Sequence, residues 1–131
     1  DQVLRLIKDL VEKRNLSVIL ISHALGAVRG FVDRVYVMYA GTMVEVAETS
    51  ELFSNPLHPY TQGLLDCVPK LTGTKFSEGI KGRVPDYINP PTGCRFHPRC
   101  DFASDKCMKE MPPFINVGGT HKVACWYYHK R

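Results

Sequence analysis

The sequence predicts an α/β fold that ends in a small, irregular, cysteine-rich cap. Three patterns support this prediction. An amphipathic helix leads into a short apolar run, two strand-like runs flank a two-residue turn, and four cysteines gather near the end of the chain. We expect three segments, which comprise residues 1–47, residues 48–93 and residues 94–131.

Length and composition are those of a globular protein. The chain has 131 residues, of which 44% are hydrophobic and 23% are charged, which excludes a disordered chain. No apolar run approaches the roughly 18 residues that cross a bilayer, and the N-terminus is unlike a signal peptide. We therefore expect an intracellular protein, or a piece of one, since Asp1 already lies inside a helical pattern.

The charge is basic and unevenly placed. The net charge is +4, and residues 81–131 hold nine Lys/Arg against four Asp/Glu. Such an excess could meet nucleic acid, lipid headgroups or an acidic protein face. We interpret it as a solvated surface, because the excess is modest.

The first elements follow from hydrophobic periodicity. Residues 2–14 predict an amphipathic helix, whose apolar positions are Leu4, Ile7, Leu10 and Val11. Residues 17–22, SVILIS, are typical of a buried strand, and a helix that leads into such a strand favours a parallel sheet. Residues 25–31 predict a short helix that Gly26 and Gly30 weaken.

A β-hairpin is predicted next. The runs VYVMY (residues 35–39) and TMVEV (residues 42–46) flank Ala40 and Gly41. A two-residue hairpin turn needs positive φ, which glycine adopts without steric cost. The sequence therefore predicts two antiparallel strands here.

Two short helices are predicted in the second segment. Residues 50–54 would form the first, with Thr49 or Ser50 as its N-cap and Asn55-Pro56 as its end.

Residues 58–68, HPYTQGLLDCV, predict the second of these helices. Pro59 suits its first turn, and Pro69 would end it. Residues 70–93 lack sustained periodicity and are rich in Gly, Pro, Lys and Thr, which predicts an extended linker.

His23 directly follows the apolar run. In open α/β sheets, ligands bind beyond the carboxyl ends of strands, and a histidine there can donate to a phosphate or orient a water molecule. The alternative is a histidine whose ring bonds only to backbone groups.

The four thiols are spaced Cys94-x5-Cys100-x6-Cys107-x17-Cys125. This is neither the paired C-x2-C spacing of common zinc sites nor a ferredoxin run. Four thiolates that converge could hold Zn²⁺ or a [4Fe–4S] cluster, and a zinc site with three of them and His97 or His121 is a variant. Two disulfides or free buried thiols remain alternatives, although an intracellular setting disfavours disulfides.

Other residues of the cap and the fifth cysteine receive structural interpretations. Cys67 lies on a predicted helix, where we expect a buried small side chain. We expect the aromatic residues to pack around the cysteine site; they are Phe96, Phe102, Trp126, Tyr127 and Tyr128.

The chain resembles a known family along essentially its whole length. The run VILISH with the hairpin DRVYVMYAG resembles the end of the nucleotide-binding domain of ABC transporters. The runs ELFSNPLHPYTQGLL, VPDYINPPTGCRFHPRC and HKVACWYY resemble the oligopeptide/dipeptide importer branch. The resemblance implies that residues 1–47 are the C-terminal remnant of that domain.

This resemblance implies roles for particular residues. His23 would be the switch histidine, which contacts the γ-phosphate of ATP and helps to place the attacking water. Ala24 stands where the family usually has Asp, which puts efficient hydrolysis in doubt. Some members of the branch carry a [4Fe–4S] cluster on four such cysteines, so Cys94, Cys100, Cys107 and Cys125 would hold a cluster, with zinc as the alternative. Arg95, Arg99 and Lys106 would offset its negative charge.

The same resemblance implies a peptide importer that works at the cytoplasmic face of the cell membrane. Its partners would be a second ATP-binding subunit, two transmembrane permease subunits and a peptide-binding protein. The chain lacks a G-x-x-x-x-G-K-[ST] loop, so we expect ATP and Mg²⁺ binding and hydrolysis only in an intact subunit. An exposed VILIS strand could pair with a second copy, giving a homo-oligomer.

The alternative interpretation is a small basic zinc- or iron–sulfur-binding module with a nucleic-acid or redox-sensing role. Salt-dependent binding to DNA or RNA would identify the first of these, and a reversible cluster couple the second. We expect no nucleic-acid partner, because neither role explains the VILISH run and the hairpin.

Overall fold

The structure, a computed structural model, describes residues 2–68 and 79–130. Its helices are α1 (Gln2–Arg14), α2 (Leu25–Val28), α3 (Thr49–Ser54), α4 (Pro59–Asp66) and α5 (Asp105–Lys109). Its strands are β1 (Arg34–Tyr39), β2 (Thr42–Glu48), β3 (Ile115–Gly118) and β4 (His121–Val123). Two 3₁₀ helices lie at His97–Arg99 and Trp126–Lys130. None of the described helices combines the length and the apolar composition of a membrane-spanning segment.

The protein is a small α/β fold around one four-stranded sheet. The strand order is β1-β2-β4-β3, and every ladder is antiparallel. The expected parallel sheet is therefore wrong for the described residues, because the sheet is made of two hairpins, each of which reverses the chain. β4 pairs with β2 through Glu45–Val123 and Val46–Lys122. The cysteine-rich end thus extends the sheet that the first hairpin begins.

The β1–β2 hairpin forms as predicted. Ala40 and Gly41 both have positive φ, at 46° and 77°, which is the requirement of a type I′ turn. The Thr42 hydroxyl donates to the Tyr39 carbonyl at 3.0 Å and closes the turn.

The predicted strand at residues 17–22 is absent from the structure. These residues have no regular secondary structure, and Ile19 and Ile21 are 94% and 93% exposed. A buried parallel strand needs neighbouring strands and cover on both faces, and the described residues supply neither. Helix α1 forms as predicted and ends at Arg14, and the φ of the following residue, Asn15, is 51°. None of its residues is buried.

Helix α3 begins differently from the prediction. Thr49 is its first residue rather than its cap, and Glu48 precedes it without a side-chain capping bond. The Thr49 hydroxyl instead donates to the Val32 carbonyl, so this side chain anchors the helix to the loop between α2 and β1.

Helix α4 forms as predicted, with Pro59 at its first position. The His58 ring is its N-cap and accepts from the Tyr60 amide at 3.1 Å. The helix ends at Asp66, two residues before the predicted end at residue 68. Pro69 and residues 70–78 of the predicted linker lie outside the described residues. Residues 79–93 have no helix or strand, as expected for the linker.

The core joins the hairpin, α3 and the cysteine segment. Its buried members are Val37, Tyr39, Ala40, Val44, Ala47, Leu52 and Phe96. Phe96 meets Tyr39 edge-on with ring centroids 5.1 Å apart, and Tyr60 lies 5.5 Å away. Apolar burial therefore links the cap to the hairpin.

Glu45 of β2 is fully buried and connects three segments. Its Oε1 accepts from the Leu57 amide at 2.8 Å and lies 2.7 Å from His121 Nε2. Its Oε2 accepts from the His58 amide at 2.9 Å. A buried carboxylate is stable only when its oxygens are satisfied, so this side chain sets the positions of α4 and β4 against β2.

We expect Glu45→Gln to destabilise the protein by about 3 kcal/mol. The glutamine side chain has only one oxygen. Its NH₂ group would replace the second oxygen and would face a hydrogen-bond donor, with which it cannot bond. Urea unfolding measures the change. Glu48→Gln, at an exposed position of the same strand, is the matched control, and equal stability of the two variants would contradict the role of Glu45.

We expect the stability to fall as the pH drops from about 6.5 toward 4. Burial lowers the pKa of His58 to about 4, so the unfolded chain takes up a proton before the folded one does. The contribution of neutral His58 to the free energy of unfolding is fully present above the pKa of the unfolded chain and is lost as the pH falls toward the folded pKa. The total loss is at most about 3 kcal/mol.

Urea unfolding over this pH range tests the prediction. His58→Asn keeps an oxygen that can cap α4 but cannot titrate, so its stability should depend less on pH than that of the wild type. The same substitution at His23, which is exposed, is the control. Parallel pH profiles for the wild type and His58→Asn would refute the assignment.

Candidate functional site

The four cysteines come from different elements of the cap. Cys94 and Cys100 flank the 3₁₀ helix His97–Arg99, Cys107 lies on α5, and Cys125 follows β4. The Cys94 amide donates to the Cys107 carbonyl at 2.8 Å. Gly93 makes this approach possible, because its φ is 67° and an added Cβ would lie 2.4 Å from that carbonyl oxygen.

The structure brings the four thiols into one region. Burial raises the pKa of Cys94 and Cys100, and it raises the pKa of Cys125 to about 11. Neighbouring thiols add to each of these pKa shifts, and Cys107 contributes to all three. Thiolates that affect one another in this way lie close together.

Each of the four sulfurs also has a hydrogen-bonding partner that could stabilise a thiolate. Backbone amides act on three of them and lower the thiol pKa: Phe96 and His97 at Cys94, Phe102 at Cys100, and Tyr127 at Cys125. The Ser104 hydroxyl lies 3.3 Å from the fourth sulfur, on Cys107. Donors of this kind orient thiolate ligands and tune iron–sulfur sites, so the chemistry of the donor set fits a metal or a cluster.

Metal binding also requires the candidate ligands to lie at suitable positions relative to one another. Within residues 2–68 and 79–130, no group of three or more His, Cys, Asp or Glu side chains is arranged to hold a metal ion. Binding would therefore require the thiols to close together. The two candidate histidine ligands have other contacts: His97 Nδ1 lies 2.9 Å from the Cys94 carbonyl, and His121 bonds to Glu45.

Cys67 differs from its expected burial. It is the exposed C-cap residue of α4, because the helix ends one residue before it. It belongs to a different element from the four thiols of the cap.

The basic side chains of the cap make local contacts that the sequence did not reveal. The Arg95 guanidinium donates to the Ala40 carbonyl. Arg99 donates to the Lys81 and Ile80 carbonyls at 2.7 and 2.8 Å. Lys106 Nζ lies 3.6 Å from the centre of the Trp126 ring.

The aromatic residues of the cap divide into two groups. Phe96 is buried in the core, as expected for packing. Phe102 and Tyr127 are 62% and 56% exposed, and their ring centroids lie 6.1 Å apart. Trp126 Nε1 donates to the Glu110 carbonyl at 2.9 Å.

His23 lies at an exposed bend before α2. The Ala24 amide donates to the Ser22 hydroxyl at 3.0 Å and shapes this bend. Because residues 17–22 are not a strand here, His23 does not stand at the carboxyl end of a sheet strand.

Sequence reasoning missed Glu45, His121 and Gly93 as structural residues of the site. A carboxylate inside the strand-like run TMVEV was a usable signal, because a charged residue in such a run needs a partner. The partner His121 lies 76 positions along the chain, and local patterns do not reach that far.

Comparison with known proteins supplies the family. Residues 44–107 match the family model described as "Oligopeptide/dipeptide transporter, C-terminal region". The oligopeptide transport ATP-binding protein AppD of Bacillus subtilis (strain 168) is 47% identical over 130 residues, which are 98% of this chain and 40% of AppD.

Two further relatives have similar coverage. The dipeptide transport ATP-binding protein DppD of Caldanaerobacter subterraneus subsp. tengcongensis is 37% identical over 129 residues, 98% of this chain and 40% of DppD. DppF of Haemophilus influenzae, also a dipeptide transport ATP-binding protein, is 42% identical over 128 residues, 96% of this chain and 39% of DppF.

The chain thus spans about two fifths of the length of the curated relatives that it matches. These comparisons give no support to the nucleic-acid or redox-sensing alternative. The match covers the His23 segment, the hairpin and the cysteine-rich cap together. The chain belongs to the ATP-binding subunits of oligopeptide/dipeptide ABC transporters, in which it corresponds to the C-terminal region.

Proposed function

We propose that this chain forms the C-terminal part of a subunit that uses ATP hydrolysis to import di- or oligopeptides. The observation that carries this proposal is the similarity over 98% of the chain to oligopeptide and dipeptide transport ATP-binding proteins. The subunit would work at the cytoplasmic face of the membrane. A second ATP-binding subunit, two permease subunits and a peptide-binding protein would complete the importer.

In this function His23 is the switch histidine. Its imidazole can donate to the γ-phosphate and hold the attacking water in line, which is the positioning that phosphoryl transfer requires. The exposed position of its ring supports this role, because it leaves the ring accessible to a bound nucleotide. Residues outside this chain would bind ATP and Mg²⁺, since its 131 residues contain no phosphate-binding loop motif.

We expect His23→Ala to lower the ATPase rate of the assembled importer by about 10²-fold or more, because one charge-stabilising and positioning group is lost. Release of inorganic phosphate measures the rate. His129→Ala, in the cap, is the control and should keep the wild-type rate. A His23→Ala importer that hydrolyses ATP at full rate would exclude the assigned role.

The residue after His23 adds a second measurement in the same importer. Ala24→Asp restores the carboxylate that the family usually has at this position, and we expect it to raise the ATPase rate. An unchanged rate would show that Ala24 does not limit hydrolysis.

We also propose that Cys94, Cys100, Cys107 and Cys125 bind a [4Fe–4S] cluster, with Zn²⁺ as the alternative occupant. The hydrogen-bond donors at the four sulfurs support this proposal. When bound, such a group would cross-link four segments of a small cap that has few buried side chains. Cys94 and Cys107, whose backbones already bond to each other, would supply two of its thiolate ligands.

We expect chain purified without oxygen to absorb broadly near about 400 nm and to contain about four irons per chain. Metal analysis of the same sample distinguishes the two occupants, because a colourless protein with one zinc ion would replace the cluster. A colourless, metal-free protein from iron-supplied cells would contradict both.

Cysteine variants locate the site in this experiment. Cys107→Ser removes one proposed ligand and should abolish stoichiometric binding, whereas Cys67→Ser should leave it intact. Loss of metal in both variants would mean that the ligand set is different.

A further inference from the structure

We propose that occupancy of the four-cysteine site is coupled to the position of the β1–β2 turn, residues 39–42. This inference rests on the proposed four-cysteine site and names a regulatory consequence of filling it. The residues between Cys94 and Cys100 carry the coupling, because their side chains contact the hairpin.

The first contact is apolar. Phe96, two residues after Cys94, is only 3% exposed and packs edge-on against Tyr39 of β1. Its ring also lies 5.7 Å from that of His58. Closely packed side chains transmit displacement because the core has no room to absorb it. Movement of Cys94 therefore acts on the end of β1.

The second contact is polar and reaches the turn itself. Arg95 Nη1 donates to the Ala40 carbonyl and would lie 3.2 Å from a Cβ added at Gly41. Arg99 Nη1 lies 3.4 Å from the Tyr39 hydroxyl. A guanidinium presents its donors in a fixed fork, so displacement of the loop backbone moves both donors relative to the turn.

A third contact joins the other end of the site to the same hairpin. The Ala124 amide, next to Cys125, donates to the Val44 carbonyl of β2 at 2.8 Å. The hairpin is thus held from two sides of the site.

These contacts make the turn sensitive to the site. The thiols are near one another but not arranged to hold an ion in the part of the chain that the structure describes. Binding of a metal or cluster must therefore move the thiols. The loop between Cys94 and Cys100 would move with them, and its side chains contact the turn. Thermodynamic coupling of this kind is reciprocal.

Amide hydrogen exchange, measured residue by residue by NMR on the 131-residue chain, tests the coupling. The probes are Zn²⁺ alone and, in a separate anaerobic sample, ferrous iron with sulfide. We expect loading to slow exchange at the amides of residues 39–42 by at least about fivefold. Amides of α1, which has no buried residue and makes none of these contacts with the cysteine loop, serve as the internal reference.

Two substitutions identify the coupling contact. Arg95→Ala should bind the metal but lose most of the slowing at the turn, and Arg95→Lys, which retains a charge without the fork, should lose part of it. Arg83→Ala, at an exposed position of the preceding loop, is the matched control and should respond like the wild type.

The outcomes separate this inference from the proposal beneath it. Stoichiometric metal binding with unchanged exchange at residues 39–42 would overturn the coupling and leave the site intact. Full slowing in both Arg95 variants would also overturn it. If neither probe binds, the four-cysteine proposal fails, and the coupling fails with it.

Discussion

The buried carboxylate of Glu45 is the interaction on which the assembly of this chain depends. Its oxygens hold the amides of Leu57 and His58 and the ring of His121. These partners belong to the N-terminal end of α4 and to β4, which are far apart in sequence. A buried charge has a large desolvation cost unless it is paired and hydrogen-bonded. Few arrangements of the chain satisfy this carboxylate. The hairpin, the segment that contains α3 and α4, and the cap therefore take their relative positions from it.

The cap is consequently part of the fold rather than an appendage. β4 extends the sheet of the hairpin by two residue pairs, and Phe96 from the cysteine loop is a member of the same core as Val37 and Leu52. The segment that carries the proposed four-cysteine site is also the segment that completes the core. The residues proposed to bind a ligand and the residues that stabilise the fold are thus neighbours, since Cys94 and Phe96 are only two positions apart.

The sequence predicted local elements well where local forces decide them. The hairpin formed because Ala40 and Gly41 accept positive φ, and α4 formed because Pro59 suits a first helical turn. Residues 17–22 were predicted as a strand from their apolar, β-branched composition, but they are exposed and irregular. A strand is defined by its neighbours, and composition alone does not supply them. Cys67 was expected to be buried for a similar reason, and the end of α4 exposes it.

The helix periods, the hairpin turn, the family and the four cysteines as one candidate set are all legible in the order of the residues. The antiparallel sheet, the buried pair of Glu45 and His121, and the bond from Arg95 to the hairpin turn became visible in the folded chain. The physical reason is the range of the interactions. Propensity and turn chemistry act over a few residues, whereas burial and hydrogen-bond satisfaction depend on which distant groups meet when the chain is packed.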